Sequence, residues 1–266
     1  MTLPTPAPRP RTLCAFDLET TGVDVETDRI VTAAIVVVDY ETGDTLEQIE
    51  LLLDPGVEIP APASAIHGVT TEHAREHGMP AREGIMRIVA ALADRLFTEA
   101  GDPTGDPLIV YNAPFDLTLL DREWRRHLLI GLEETVNGDG KLEPAPWYGP
   151  GRVPVIDPLV LDKHFDRYRR GPRNLSTVAG IHGVQTPNAH NAAADALTAA
   201  LIARRMLRST LLAEATLTQI HDASVRWAAD QAEGLRAYYQ GRGDTDRAAG
   251  VLGDWPTRPY RESARA

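Results

Sequence analysis

A single cysteine, Cys14, leaves no partner for an internal disulfide and no cluster for a cysteine-built zinc site. Long apolar runs are missing too. None reaches the roughly 18 residues that span a bilayer, so no membrane partner is expected. The stretch Met1 to Pro10 carries prolines where an export signal needs an apolar segment, and residues 1–11 are expected to form a disordered lead-in. With no export signal, the expected compartment is the cytoplasm. Positive charge is also short: 27 Lys and Arg face 38 Asp and Glu, a formal net charge of −11. A nucleic-acid binder usually shows a basic face, so this balance counts against one. An enzyme can instead concentrate carboxylates at a metal site and let divalent cations offset them where a phosphate docks. The plainer alternative puts the excess acid on solvated faces, where it serves solubility.

The 266 residues suffice for a full core in one large domain or two small ones. Three strand-like runs come first: Thr12 to Glu19, Ile30 to Asp39, and Leu46 to Leu53. Thr42-Gly43 supplies turn chemistry between the second and third, which read as an antiparallel hairpin. Thr70 to Phe97 reads as helical, most clearly from Glu83, where Ile85, Ile88, Val89, Leu92 and Leu96 recur at helical spacing. A short buried strand over Leu108 to Tyr111 precedes a helix over Pro114 to His127. Gly131 to Arg152, crowded with Gly and Pro, reads as an irregular insertion. Val153 to Ile156 is a further short strand. Asn174 opens a short helix, Ala192 to Leu207 is a strong one, and Leu211 to Tyr239 continues helically. The order implies an α/β fold, a mixed sheet flanked by helices with a helical C-terminal extension. The expected division is a main domain over 12–207, a helical extension over 208–240 and a flexible tail over 241–266.

Residues two apart on a strand face the same way, so Asp17 and Glu19 project together at the end of the first strand. Such a pair inside an apolar strand costs several kcal/mol unless a cation answers it. Asp116 and Asp195 each lie in the first turn of a predicted helix, where an anion is favoured. Elements leaving neighbouring strands can bring all four acids to one edge. Four hard oxygen ligands suit Mg²⁺ or Mn²⁺ better than zinc. Two such ions about 3.5–4 Å apart can generate hydroxide and stabilise a leaving oxygen. His190, five residues before Asp195, is roughly 140° away on an ideal helix, so it serves the same site only from the preceding loop. From there an imidazole, which ordinarily titrates near neutral pH, could take a proton from water. Each position alone has a bland reading: strand-end acids, a helix-start Asp, a loop His.

Jointly they resemble a known family. Phe16-Asp17-Leu18-Glu19-Thr20-Thr21-Gly22, Asn112-Ala113-Pro114-Phe115-Asp116 and His190-Asn191-Ala192-Ala193-Ala194-Asp195 look like the three motifs of the DEDDh (DnaQ-like) 3′-5′ exonucleases. Ile66-His67-Gly68-Val69-Thr70 is similar to a further segment flanking that family's site. The likeness runs over residues 12–207 and is closest to the epsilon proofreading subunit of bacterial DNA polymerase III. It implies an RNase H-like fold and release of nucleoside 5′-monophosphates from single-stranded DNA. Asp17, Glu19, Asp116 and Asp195 would hold two metal ions, Mg²⁺ or Mn²⁺, with His190 as general base. Leu18, Thr20 and Thr21 would line the terminal-nucleotide pocket through backbone donors and the threonine side chains. His67, Asn112 and Phe115 would contact the nucleotide and its neighbours, packing or capping being the alternative for each. The resemblance extends to a polymerase III partner, although no polymerase-binding tail is matched.

Other features compete. His73 and His77 with Glu76 match an inverted zinc-peptidase pattern, but no third ligand follows, and a surface histidine pair is the better account. Gln48 to Leu52 faintly suggests a sliding-clamp peptide and is expected to be core strand. Leu217, Ile220, Trp227, Leu235 and Tyr238 offer a stripe that self-packing explains better than a partner helix. Asp157 reads as a helix cap, not a fifth ligand. An exoribonuclease shares the catalytic set, and a non-catalytic binding module on a nuclease fold is the rival from another class.

Overall fold

The computed structural model describes residues 9–128, 130–136, 141–144, 147–149, 151–185 and 191–260. Three long strands, β1 (Thr12–Thr20), β2 (Ile30–Asp39) and β3 (Thr45–Asp54), form an antiparallel meander. The β2–β3 turn forms as its residues require. Gly43 takes φ 87°, and Asp39 Oδ1 accepts from the Glu41 and Thr42 amides at 2.8 and 2.7 Å.

The region expected as one helix from Thr70 is divided. Helices α1 (Ala61–His67) and α2 (Thr71–His77), strand β4 (Met79–Pro80) and helix α3 (Ala81–Leu96) follow β3. The break lies at Gly78, where an added Cβ would sit 2.4 Å from the Ala74 carbonyl and 2.6 Å from the Asp54 nitrogen. The chain there lies against β3, and Met79–Pro80 pairs with Leu53 and Asp54 in parallel. Helix α1, too short for a periodicity to mark it, is bounded by Pro60 before it and by Gly68 in the left-handed region after it.

Strand β5 (Leu108–Ile109), helix α4 (Ala113–Leu128), strands β6 (Glu134–Val136), β7 (Leu142–Pro144) and β8 (Val155–Ile156), and helix α5 (Pro158–Phe165) come next. The irregular insertion thus contains a small antiparallel ladder, β6 with β7. Helices α6 (Leu175–Ile181), α7 (Ala192–Leu207), α8 (Leu217–Gly241) and α9 (Thr245–Ala249) complete the described chain. The mixed sheet runs β4-β3-β2-β1-β5-β8, with β5 and β8 parallel to β1.

Strand alternation divides the core in two. Leu13 and Ala15 of β1, with Ala34, Val36 and Val38 of β2, pack with α7. Cys14, Phe16 and Leu18, with Ala33 and Ile35, pack with α3 and α4. Burial on both faces explains why β2 is apolar from Ala33 to Val38 without alternation. β3 lies nearer the edge. Gln48 and Glu50 are exposed and hydrogen-bonded to each other at 2.8 Å, so Gln48–Leu52 is not the core segment expected. Its backbone is nevertheless committed to the β2 ladder.

Helix α8 packs on its own chain. Ile220, His221 and Ser224 are buried, His221 Nδ1 accepts the Val155 amide at 3.0 Å, and Trp227 stacks on His164 at 3.8 Å. Leu235 and Tyr238, expected in the same stripe, are exposed. The tail is not loose through residue 260. Trp255 is buried, and its indole N–H donates to Asp157 at 3.2 Å. Among the described residues, no helix is long and apolar enough to cross a membrane.

Candidate active site

The β1 row that begins Leu13, Ala15 continues as Asp17 and Glu19, on the face that α7 covers. Helix α7 starts at a local cap, the Asn191 side chain accepting from the Ala193 and Ala194 amides at 3.1 and 3.2 Å. Asp195 therefore sits in the first turn, where the helix end favours an anion. Ligand atoms of Asp17, Glu19 and Asp195 all lie within 4.8 Å of one another. Among the described residues this is the one group of three or more side chains so placed. The His73–His77 pair forms no such group; the rings contact edge to face at 4.7 Å.

Asp116 approaches from the other face of the sheet. It is buried in the first turn of α4, and its Oδ1 accepts the Leu18 amide at 3.1 Å. Asn112, just before α4, takes φ 65°, a left-handed conformation that Asn tolerates better than most residues. Asp157 holds that turn: its two oxygens accept the Asn112 and Ala113 amides, each at 3.0 Å. It also caps α5 through the Leu159 amide at 2.9 Å, as the sequence suggests. The additional clamp on Asn112 and Ala113 leaves no local sequence signal, because the partners are 45 and 44 residues away.

The acids repel. Burial first, then the charges of Asp116, Asp195 and Glu19, push the Asp17 carboxyl well above the usual range. Burial and then Asp195 push Glu19 up to about 7. Asp116 is raised chiefly by burial, against hydrogen bonds from backbone amides that favour its ionised form. Every charged side chain among these causes is another carboxylate. A cluster of hard oxygens that resists ionisation by itself has the chemistry of a divalent-cation site.

The expected pocket residues divide. Leu18 is buried in the core with its amide engaged by Asp116, so that amide is not an open donor. Thr20 lies at the rim with its hydroxyl on the Gly22 carbonyl at 2.6 Å. Thr21 is turned away: its buried hydroxyl donates to Asp28 at 2.8 Å and accepts the Arg29 amide at 3.0 Å. A Cβ at Gly22 would fall 2.5 Å from the Asp28 carboxylate, so Thr21 and Gly22 both accommodate Asp28, which no local sequence pattern marks. His67 ends α1 beside the Thr20 backbone, with Nδ1 accepting the Val69 amide at 3.2 Å; burial lowers its pKa. Asn112 is exposed, and Phe115 packs partly on the α3–α4 core. His190 lies outside the described residues.

A family model described as exonuclease matches residues 14–203. The DNA polymerase III PolC-type of Lacticaseibacillus paracasei is 25% identical over 181 residues, 68% of this chain but 10% of that protein. A DNA polymerase III subunit epsilon-like protein of Rhodobacter capsulatus is 34% identical over 123 residues, 45% of this chain and 15% of that protein. The chain thus spans only about a tenth of the PolC-type relatives it matches. E. coli exonuclease I, solved in complex with a dT13 oligonucleotide, superposes with a TM-score of 0.55 at 19% identity, covering 74% of this chain and 41% of that one. Exonuclease X, solved with 5′ overhanging duplex DNA, superposes with a TM-score of 0.51 at 19% identity, covering 80% and 99%. These likenesses show the RNase H-like exonuclease fold.

Proposed function

Because the chain belongs to the DnaQ-like exonuclease family, we propose that it is a metal-dependent 3′→5′ exonuclease acting on single-stranded DNA. The observation that carries the reading is the convergence of Asp17, Glu19 and Asp195 within 4.8 Å, with Asp116 bonded to the backbone between the first two. In this reading residues 12–207 are the nuclease domain, and Asp17, Glu19, Asp116 and Asp195 hold two divalent ions, Mg²⁺ or Mn²⁺. Such ions supply Lewis acidity and neutralise charge at a scissile phosphate.

The protein's own part is placement and proton transfer. Asp116, locked by the Leu18 amide, and Asp195, fixed by the Asn191 cap, set the spacing of the ligands from two sides. His190 takes the proton of the attacking water, and a nucleoside 5′-monophosphate leaves. Thr20 and His67, adjoining at the rim, meet the terminal nucleotide; Asn112 and Phe115, at the head of α4, meet the sugar-phosphate and a base. An aromatic face holds unpaired bases with little sequence preference. The PolC-type relatives and the exonuclease I neighbour solved with an oligonucleotide favour DNA as substrate, and the relatives favour a replicative polymerase as partner.

The test uses single-stranded DNA labelled at the 3′ or the 5′ end, with Mg²⁺, Mn²⁺ or chelator, and matched RNA alongside. Metal-dependent mononucleotide release from the 3′ end of DNA is expected, absent in Asp17→Asn. Faster attack on RNA would reassign the substrate. Inactivity on both polymers with either metal would sink the reading in favour of a binding module.

A further inference from the structure

We propose that residues 255–259 form a strap that positions Asp116, so that the C-terminal segment is part of the site's framework. The proposal rests on the reading that Asp116 shares the acid site. Helix α4 carries Asp116, and its depth and rotation decide where that carboxylate lies relative to Asp17 and Glu19. The segment grips α4 in two places. At its head, Trp255 Nε1 donates to Asp157 Oδ2 at 3.2 Å, the same oxygen that accepts the Ala113 amide. Along its flank, the Arg258 amide donates to Thr118 Oγ1 at 2.9 Å, and Arg122 Nη2 donates to the Arg258 and Pro259 carbonyls, each at 3.1 Å.

Thr118 and Arg122 are four residues apart and share one helix face. Every side chain in this chain of contacts is buried: Asp157 and Thr118 fully, Arg122 at 4% and Trp255 at 7% exposure. The strap is itself anchored. The Trp255 ring packs on His221, the residue that accepts the β8 amide of Val155, with centroids 5.0 Å apart. Thr257 hydrogen-bonds Tyr148 at 2.7 Å and Glu133 at 2.6 Å. Buried hydrogen bonds to a carboxylate are among the stronger positioning contacts, and partners of a metal ligand tune affinity about 10–100-fold; the strap acts one contact further out, so the low end of that range is expected.

Trp255→Phe removes the indole donor and keeps an aromatic, though smaller, ring; Thr118→Val removes the acceptor at the other grip with little change of volume. Both are made in the full chain. Three quantities are read: amide hydrogen exchange in the metal-free protein, Mn²⁺ binding by electron paramagnetic resonance, and kcat and KM on single-stranded DNA. In both variants, exchange at the Asn112 and Ala113 amides should rise about tenfold while β1–β2 amides stay as they were. The Mn²⁺ concentration for half-saturation should rise about tenfold, and kcat should fall with KM unchanged. Wild-type exchange at those amides, or wild-type Mn²⁺ affinity, in both variants would overturn the strap, whatever the melting temperature does. A wild-type protein that cleaves no DNA would remove the nuclease reading alone, because exchange and Mn²⁺ binding judge the strap without it.

Discussion

Helices α4 and α7 both bring an aspartate to the site in their first turn, yet they are started by different means. Helix α7 begins from its own neighbours: Asn191 accepts amides two and three residues on, and Asp195 follows within the turn. Helix α4 begins from a distance. Asn112 is held in a left-handed conformation by an aspartate 45 residues later, which a tryptophan 98 residues further on holds in turn. One start is local and tolerant of change elsewhere in the fold. The other fails if either of two distant segments is displaced, so the two acids differ in how they can be lost.

The largest effect should come from the cluster that both helices serve. Asp17→Asn should lower kcat by a factor on the order of a thousand or more, with DNA binding retained, as measured by single-turnover cleavage and by anisotropy. Asp157→Asn should strike the α4 start selectively. One oxygen becomes a donor facing donors, at a cost of about 1–3 kcal/mol, and activity should fall on the order of 10–100-fold. Activity near wild type in Asp157→Asn would erase the contrast between the two helices.

A pH titration sharpens the comparison further. Glu19 rises from an ordinary 4.5 to about 7 in the folded protein, and Asp17 and Asp116 also rise. The folded state then binds protons more tightly than the unfolded one. The contribution is fully present below about pH 4.5 and is lost as pH climbs to about 7 and beyond. The metal-free melting temperature should therefore fall across that window, less steeply in Glu19→Gln, and added Mg²⁺ should restore it. A flat profile would show that the acids do not repel as placed. The smallest effect belongs to Asn191→Ala, the local start. Losing the cap should cost about 1 kcal/mol, a few degrees of melting temperature, and activity should fall less than in Asp157→Asn.

The legible parts of the site were those written in neighbouring residues. Alternation along β1 places Asp17 and Glu19 on one face, and their carboxylates do converge, together with that of Asp195 from α7. The helical pattern from Ala192 marked α7 together with its acid. In sequence Asp157 reads only as a cap, because the Leu159 contact is local and the Asn112 and Ala113 contacts are not. Thr21 resembled a pocket residue, but its hydroxyl is taken by Asp28 across a loop whose closure no periodicity announces. The tail, polar and rich in arginine, reads as loose in composition. Its buried Trp255 bonds Asp157, and Arg122 of α4 bonds the Arg258 and Pro259 carbonyls, all pairs far apart in sequence.

By itself, then, the sequence determined which residues could share a face and where most of the longer elements lie, since periods of 2 and 3.6 and caps within four residues depend only on neighbours. The tertiary structure alone decided that Gly78 ends a helix against β3, that α4 starts on Asp157, and that the last described residues grip the helix bearing Asp116. Each of those outcomes depends on a contact between segments whose separation along the chain is settled only when the sheet and its covering helices close.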